Sequence, residues 1–425
     1  MRLLLFPLLL AGCPNQLTIS SVCKDLGCNS ITGLIGGVWI DEDGNEYTPV
    51  PFLLAGRERV AVGSPGGHGG AGEIGIFPRL RRRMDFDAAP VKMAGLSAGE
   101  ALGYATVSFT DVRRNSMVAL SAPGFRDGAG SVYLLTADTF ADGRLDEGQR
   151  AILGGPGDFA GATLAGVQGR DDVHLLVGAP RAAERGELAG AVDVYAVQDG
   201  RAERLTRWLP AGANATLGAA LLSADLNADG LSEAIIGAPG EAGVGRVYAV
   251  TDAFGALHDL STEAVFTDGV VSGGGFGAAL AVAEGEDGYG TVAVGAPGGD
   301  AGVVYLFAGR ALVGTRLTAN EATGTVQGQA GDEVGRALAF RKDGTLVVGA
   351  PGALGGKGAV YAYKDPRGSL STTAANRIHA GRRAGEGLGI NLGTADLTGD
   401  GTGDLSVASL DRSGAATWSI LPGSL

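Results

Sequence analysis

The chain has 425 residues, a formal net charge of −13 and 75 glycines. Such acidity leaves no basic surface to displace the counterions of a polyanion, which excludes nucleic acid as the main partner. Hydrophobic residues make up 45% of the chain without a Gly-X-Y period, so neither a collagenous nor a disordered chain fits, and the glycines read as turns between short strands.

At the N-terminus, "MRLLLFPLLLAGC" places Arg2, a short apolar stretch and then Leu10-Ala11-Gly12-Cys13, too short to cross a bilayer core and suited to an export signal. It resembles a bacterial lipoprotein signal ending in a lipobox. The resemblance implies that residues 1–12 are cleaved, that Cys13 carries the lipid, and that several acyl chains anchor the protein. With Pro14 rather than aspartate after the cysteine, it favours the outer membrane. Residues 13–32 then form a tether, in which Cys23 and Cys28 of "CKDLGC" predict a small local disulfide; free thiols and a metal site are the alternatives. The basic run "RLRRR", Arg79 to Arg83, reads as a solvated or edge-strand face.

From there the chain repeats. "VAVGSPGG", "VALSAPGF", "LLVGAPRA", "AIIGAPGE", "VAVGAPGG" and "LVVGAPGA" put prolines at 65, 123, 180, 239, 297 and 351, and a degenerate seventh copy, "LSVASLDR", puts Leu410 in the same place. About 21 residues before these turns stands an apolar-small pair: Leu102-Gly103, Phe159-Ala160, Leu217-Gly218, Phe276-Gly277 and Leu388-Gly389, with Val334-Gly335 in a shortened sixth copy. About ten residues after each turn comes Gly-X-Val-Tyr or a relative, as in "GSVYLL" and "GRVYAV". Short apolar runs divided by Gly, Pro, Asn and Asp predict strand–turn–strand units of about four strands each. Sheets that small bury their faces only against neighbours. The expected fold is therefore all-β, a seven-bladed propeller of four-stranded blades over residues 33–425, with an open solenoid as the alternative. Because the chain ends soon after "GAATWSIL", residues 33–42 ("GLIGGVWIDE") are expected to supply the outer strand of blade seven and close the ring.

Before the fourth turn lies "ADLNADGLSEAIIGAPG". Asp225, Asn227 and Asp229 offer oxygens at alternate positions, Gly230 permits a sharp turn, the Leu231 carbonyl adds a ligand and Glu233 closes the set. Hard oxygens in a flexible arrangement suit calcium better than magnesium, which demands tighter octahedral geometry. "ADLTGDGTGDLSVAS" repeats the pattern in unit seven with Asp396, Thr398, Asp400, the Thr402 carbonyl and Asp404, in the same register to the turn. An Asx-rich hairpin without an ion is the alternative for both. Unit five offers only Asp287-Gly288 at this offset, units two and three place Phe109 and Gly166 at the first ligand position, and unit six is reduced to "RKDG". "DTFADGRLD" (138–146) keeps acids but has Phe140 at the third position.

The apolar-Gly and Gly-Ala-Pro markers flanking an acidic loop resemble FG-GAP repeats, as in the propeller heads of integrin α subunits and many bacterial extracellular proteins. The resemblance implies calcium at the two acidic loops, about two sites in all. It also implies a ligand-binding face on the side of the Gly-Ala-Pro turns, exposing Arg126, Arg181, Arg185, Glu241, Asp300, Lys357, Arg382 and Arg383.

For catalysis, Gly95-Leu96-Ser97-Ala98-Gly99 has the form of a nucleophile elbow but lies in a connecting loop, and His68, His174, His258 and His379 share no ligand spacing. Aromatics at 6% make sugar-stacking platforms scarce. The sequence thus points to a lipid-anchored, calcium-stabilised module that binds protein or glycan on a cell surface or matrix, rather than an enzyme. A polysaccharide-degrading enzyme, its acids converging on the ring axis, and a structural envelope component are the alternatives.

Overall fold

The computed structural model describes residues 48–54, 57–66, 70–77, 89–111, 116–136, 145–169, 172–198, 200–251, 254, 257–283, 285, 289–395, 404–410 and 416–421. Among them, seven sheets follow one another along the chain, each an antiparallel meander. Sheet one holds β1 (Thr48–Leu54), β2 (Arg57–Ser64), β3 (Glu73–Phe77) and β4 (Val91–Ala94). Sheet two holds β5 (Thr106–Thr110), β6 (Ser116–Ala122), β7 (Ser131–Thr136) and β8 (Arg150–Leu153). Sheet three holds β9 (Thr163–Gln168), β10 (Val173–Ala179), β11 (Ala191–Gln198) and β12 (Arg201–Trp208). Sheet four holds β13 (Ala220–Ala224), β14 (Glu233–Ala238), β15 (Arg246–Val250) and β16 (Val265–Asp268). Sheet five is built on β17 (Ala279–Ala283), β18 (Thr291–Ala296) and β19 (Val303–Ala308); the two-residue β20 (Leu317–Thr318) follows and joins sheet four, before β21 (Gly324–Gln327) completes sheet five. Sheet six is built on β22 (Ala337–Phe340), β23 (Leu346–Ala350) and β24 (Ala359–Tyr363); β25 (Gly368–Ser371) joins sheet five, and β26 (Arg377–Ala380) completes sheet six. Sheet seven holds β27 (Leu392–Ala395), β28 (Asp404–Leu410) and β29 (Ala416–Leu421). This all-β architecture is in line with a β-propeller.

The cores lie between consecutive sheets. Leu222, Ile235 and Val247 of sheet four pack on Leu280, Val294 and Phe307 of sheet five, and every residue of β14 is buried because its sheet has a neighbour on both faces. Each such fully buried aliphatic side chain contributes roughly 1.5–3 kcal/mol, so the stack gains stability that one four-stranded sheet could not. Phe276, the aromatic of the apolar-small pair, stands edge-on to Tyr305 at 5.5 Å between ring centres.

Two backbone approaches set how closely the sheets come together. Gly237, in the Gly-Ala-Pro turn of sheet four, faces Gly277 of the next unit; a Cβ on Gly237 would lie 2.1 Å from the Gly277 carbonyl oxygen. Gly277, at φ +93°, donates its N–H to Gly295 O at 3.0 Å within its own unit. The second approach pairs Gly245, at the start of β15, with Phe276 in a parallel backbone bridge. Only glycine allows either distance. The same approaches recur from sheet to sheet, with Ser121 in the place of the first glycine at the seam between sheets two and three, so the markers read from the sequence are the seams of the fold.

At the outer edges, segments preceding one sheet's last strand cap the sheet before it. β20 pairs parallel with β16, β25 with β21, and Asp259 bridges Leu209 just beyond β12. These caps cover backbone groups that an open edge would offer to another chain.

Gly237→Ala is expected to lower the thermal unfolding temperature, overpacking of the seam costing about 3 kcal/mol. Gly212→Ala, whose added methyl would meet nothing within 4 Å, is expected to leave it unchanged. Calorimetry of the two variants side by side checks the seam.

Candidate functional site

The unit-four acidic loop joins β13 to β14, which pair Ala224 with Glu233 at its base. Asp225 Oδ1 accepts from the Ala228 N–H at 2.7 Å and Oδ2 from the Gly230 N–H at 2.9 Å. Asn227 Oδ1 accepts from the Asp229 N–H at 2.9 Å, and Asp229 Oδ1 from the Leu231 N–H at 2.8 Å. Side chains bonding to amides two to five residues on are the reason Asx residues alternate here. Ala228 (φ 64°) and Gly230 (φ 85°) take the left-handed conformations that the coil requires.

Glu233 is buried at the loop's foot, where Oε2 accepts from the Leu226 N–H at 2.7 Å and Oε1 from Asn227 Nδ2 at 3.1 Å. Asp225 and Asn227 are half-buried and Asp229 exposed, so the oxygen set runs from solvent to the interior. Among the described residues no group of three or more His, Cys, Asp or Glu forms a ready-made metal cage. The donors are all hard oxygens, each carboxylate oxygen keeps lone pairs beyond its N–H partner, and the loop is held by its own amides. That chemistry suits a hard divalent cation of loose coordination geometry.

In unit seven, Asp404 is the first residue of β28 and pairs with Ala395, matching Glu233 opposite Ala224, and it too is buried. Asp396, Thr398, Asp400 and Thr402 lie outside the described residues, as do Cys13, Cys23, Cys28, residues 33–42, Arg79–Arg83, Asp138, His68 and Asp287-Gly288. Asp146 is described and caps a short helical turn, accepting from the Gly148 N–H at 2.8 Å.

On the side of the Gly-Ala-Pro turns, Arg126, Arg181, Arg185, Asp300, Lys357 and Arg382 are exposed and Arg383 is half-buried. Glu241 departs from expectation. It is only 3% exposed, accepting from Tyr248 Oη at 2.6 Å, Arg246 Nη1 at 3.4 Å and the Ala211 N–H at 3.2 Å. Burial and then Glu241 push the Tyr248 phenol well above its ordinary range. Arg246 in turn bonds Asp268 at 2.6 Å and stacks over Phe266 at 3.8 Å.

Two other sheets hold related clusters that sequence reading missed. Fully buried Glu100 accepts from Tyr133 Oη, from Arg150 and from the Leu96 and Ser97 amides. Arg207 bonds Asp158 at 2.6 Å and Asp193 at 2.7 Å. The signal was an acid three residues before a glycine, as in Glu100-Ala-Leu-Gly103 and Asp158-Phe-Ala-Gly161, where the structure makes Ala160-Gly161 rather than Phe159-Ala160 the counterpart of Leu102-Gly103; unit four has Ala215 there, and Glu241 supplies the carboxylate from the following turn.

Ser97 leads through this loop into strand β5 rather than a helix, so the strand-to-helix geometry of a nucleophile elbow is not formed. The first strands of sheets two to seven, β5, β9, β13, β17, β22 and β27, carry no ionisable residue. His174 stacks on Phe254 with ring centres 5.1 Å apart, His258 Nδ1 meets Thr206 Oγ1 at 2.8 Å, and His379 lies on β26.

Residues 217–250 match the FG-GAP repeat model. The chain carries an FG-GAP repeat. The matched stretch runs from Leu217-Gly218 through the acidic loop and the Gly237-Ala238-Pro239 turn to the end of β15, and the seams that this FG-GAP unit makes with its neighbours recur at the other sheets.

Replacing Arg207 by Met takes the cation from Asp158 and leaves Asp193 only Arg204 at 3.5 Å, and is expected to cost about 3 kcal/mol at pH 7. Burial already raises the Asp193 carboxyl above its ordinary range, against the pull of Arg207 and Arg204. An acid raised on folding destabilises the fold above its unfolded pKa, and that penalty fades as pH falls through its folded pKa. The deficit of Arg207→Met should therefore shrink between pH 7 and pH 5, as urea unfolding at both values would show.

Proposed function

We propose that this chain is a calcium-stabilised, lipid-anchored extracytoplasmic binding module of adhesion type, presenting the loops on its turn-bearing side to a protein or glycan of a cell surface or matrix. The observation that carries the reading is the FG-GAP repeat at residues 217–250, a repeat often found in ligand-binding or adhesion propellers. The seven consecutive sheets support a ring of seven blades. Sheet seven has three strands among the described residues, and its missing outer strand is the place for residues 33–42 to close that ring. The lipobox-like sequence at Cys13 supports export and anchoring, with the outer membrane as the destination and Cys23 and Cys28 bridged in the tether.

Calcium is proposed for both acidic loops, held by Asp225, Asn227, Asp229, the Leu231 carbonyl and Glu233 in one and by Asp396, Thr398, Asp400, the Thr402 carbonyl and Asp404 in the other. When bound, it neutralises carboxylates that repel one another and fixes the hairpin, and because it binds only the folded form it stabilises the fold by linkage. Extracellular sites of this type have dissociation constants on the order of 0.1–1 mM. The lipid-free protein, residues 14–425, is expected to melt several degrees higher in 5 mM calcium than in chelator, by roughly RT ln(1 + [L]/Kd) per site. Glu233→Ala combined with Asp404→Ala should abolish that difference. Identical melting of the wild type in both conditions, with no bound ion, rejects the calcium sites.

The binding role is tested by capture from envelope and extracellular extracts on immobilised residues 14–425. A saturable protein or glycan partner, lost on charge reversal of exposed Arg382 and half-buried Arg383, is the expected result. Release of soluble oligosaccharide from a retained glycan would overturn the non-enzymatic reading.

A further inference from the structure

Leu226 occupies the position between the first two oxygen donors of the unit-four loop, where a solvated loop residue would be expected. Its side chain is instead completely buried, in the core shared by sheets four and five. It packs against the backbones of two glycines, Gly290 just before β18 and Gly309 just after β19. A Cβ on Gly290 would lie 3.0 Å from Leu226 Cδ2, and one on Gly309 would lie 2.9 Å from Cδ2 and 3.0 Å from Leu226 Cβ. Those glycines are themselves joined, Gly309 N–H donating to Gly290 O at 2.6 Å.

Gly309 opens the short helix Gly309–Gly314, which connects β19 to the outer edge of sheet four. The helix packs against β15 and β16 as well as β19, and its Leu312 is buried in the same core as Leu226. Leu226 is thus tied at both ends. Its backbone N–H bonds Glu233, the innermost acid of the loop, and its side chain fills the contact under the connector of the following sheet.

We propose that loop 225–233, Leu226 and helix Gly309–Gly314 form one cooperative unit, so that cation occupancy of the loop is transmitted across the sheet four–sheet five seam to the helix. The inference rests on the calcium reading of the loop. Closure by the ion holds Glu233 and hence the Leu226 backbone, which suppresses local opening of a segment that touches no ligand. Coupling of this kind is reciprocal: the closed helix favours calcium binding by the same factor by which calcium favours the closed helix, so disturbing the wedge weakens binding.

Hydrogen exchange of residues 14–425, measured with calcium chloride and with chelator, tests this on the wild type, Leu226→Ala and Leu226→Met, with calcium binding followed separately by titration calorimetry. In the wild type, calcium should slow exchange by about tenfold both in the loop and in residues 309–314, a coupling in the usual range. Residues 368–374 of the sheet six connector serve as the control for a global effect and should change far less. Leu226→Ala should still bind calcium, several-fold more weakly, but lose the slowing at 309–314, while Leu226→Met, which refills the space, should restore it. Calcium bound by the wild type with exchange at 309–314 unaltered, or equal slowing of 309–314 in Leu226→Ala and the wild type, overturns the coupling and leaves the calcium site standing. No calcium uptake by the wild type overturns the calcium reading and the coupling together.

Discussion

Glycine backbones in contact across neighbouring sheets are the constraint on which the rest of this structure depends. Where Gly237 meets the carbonyl of Gly277, and Gly245 lies against Phe276, no side chain beyond hydrogen fits. Sheets held this closely need small inner strands, and β13 and β17 read ALLSA and ALAVA. Tyr305 and Phe307 pack edge-on to Phe276 in the core between sheets four and five. Spacing, composition and core position thus follow from one close approach repeated along the chain.

The same approach separates the two ends of each sheet. At one end the turns crowd together and bury Glu100, Asp158 and Glu241, which must be paired, hence the carboxylate clusters around Arg150, Arg207 and Arg246. Buried ion pairs of this type contribute little net stability but penalise any other arrangement of the loops, because removing one partner leaves a charge in the interior. At the other end the hairpins are freer, and there the alternating Asx pattern builds its coil from Asp225 to Glu233. One end of the sheets is held by paired charges, and the other carries the loop proposed to take the ion.

Much of this was legible in the sequence. The regular return of Gly-Ala-Pro marked each second strand, and the alternation of Asp225, Asn227 and Asp229 located a structured loop between the first two strands of its sheet, where it is found. Glu241 was misread as exposed because a charge after a turn usually faces water; its burial follows from Ala215, which leaves the acid position of unit four vacant for a carboxylate arriving from another loop. The edge caps β20 and β25 escaped notice because strands of two to four residues made of Leu, Thr and Ser carry no periodicity, and only the neighbouring edge defines them. Leu226 was hidden for a related reason: one apolar residue among acids has no pattern, and its partners lie some sixty to eighty residues further along the chain.

In the proposed molecule, close-packed sheets form a closed ring braced by calcium at two of its hairpins. A crystal structure of residues 14–425 grown in calcium, with anomalous scattering to locate the ions, tests that most directly. The expected result is one ion in each of the loops 225–233 and 396–404, and residues 33–42 paired along β29 as the outer strand of sheet seven. Loops without ions at saturating calcium, or a last sheet left at three strands with the ring open, would contradict it.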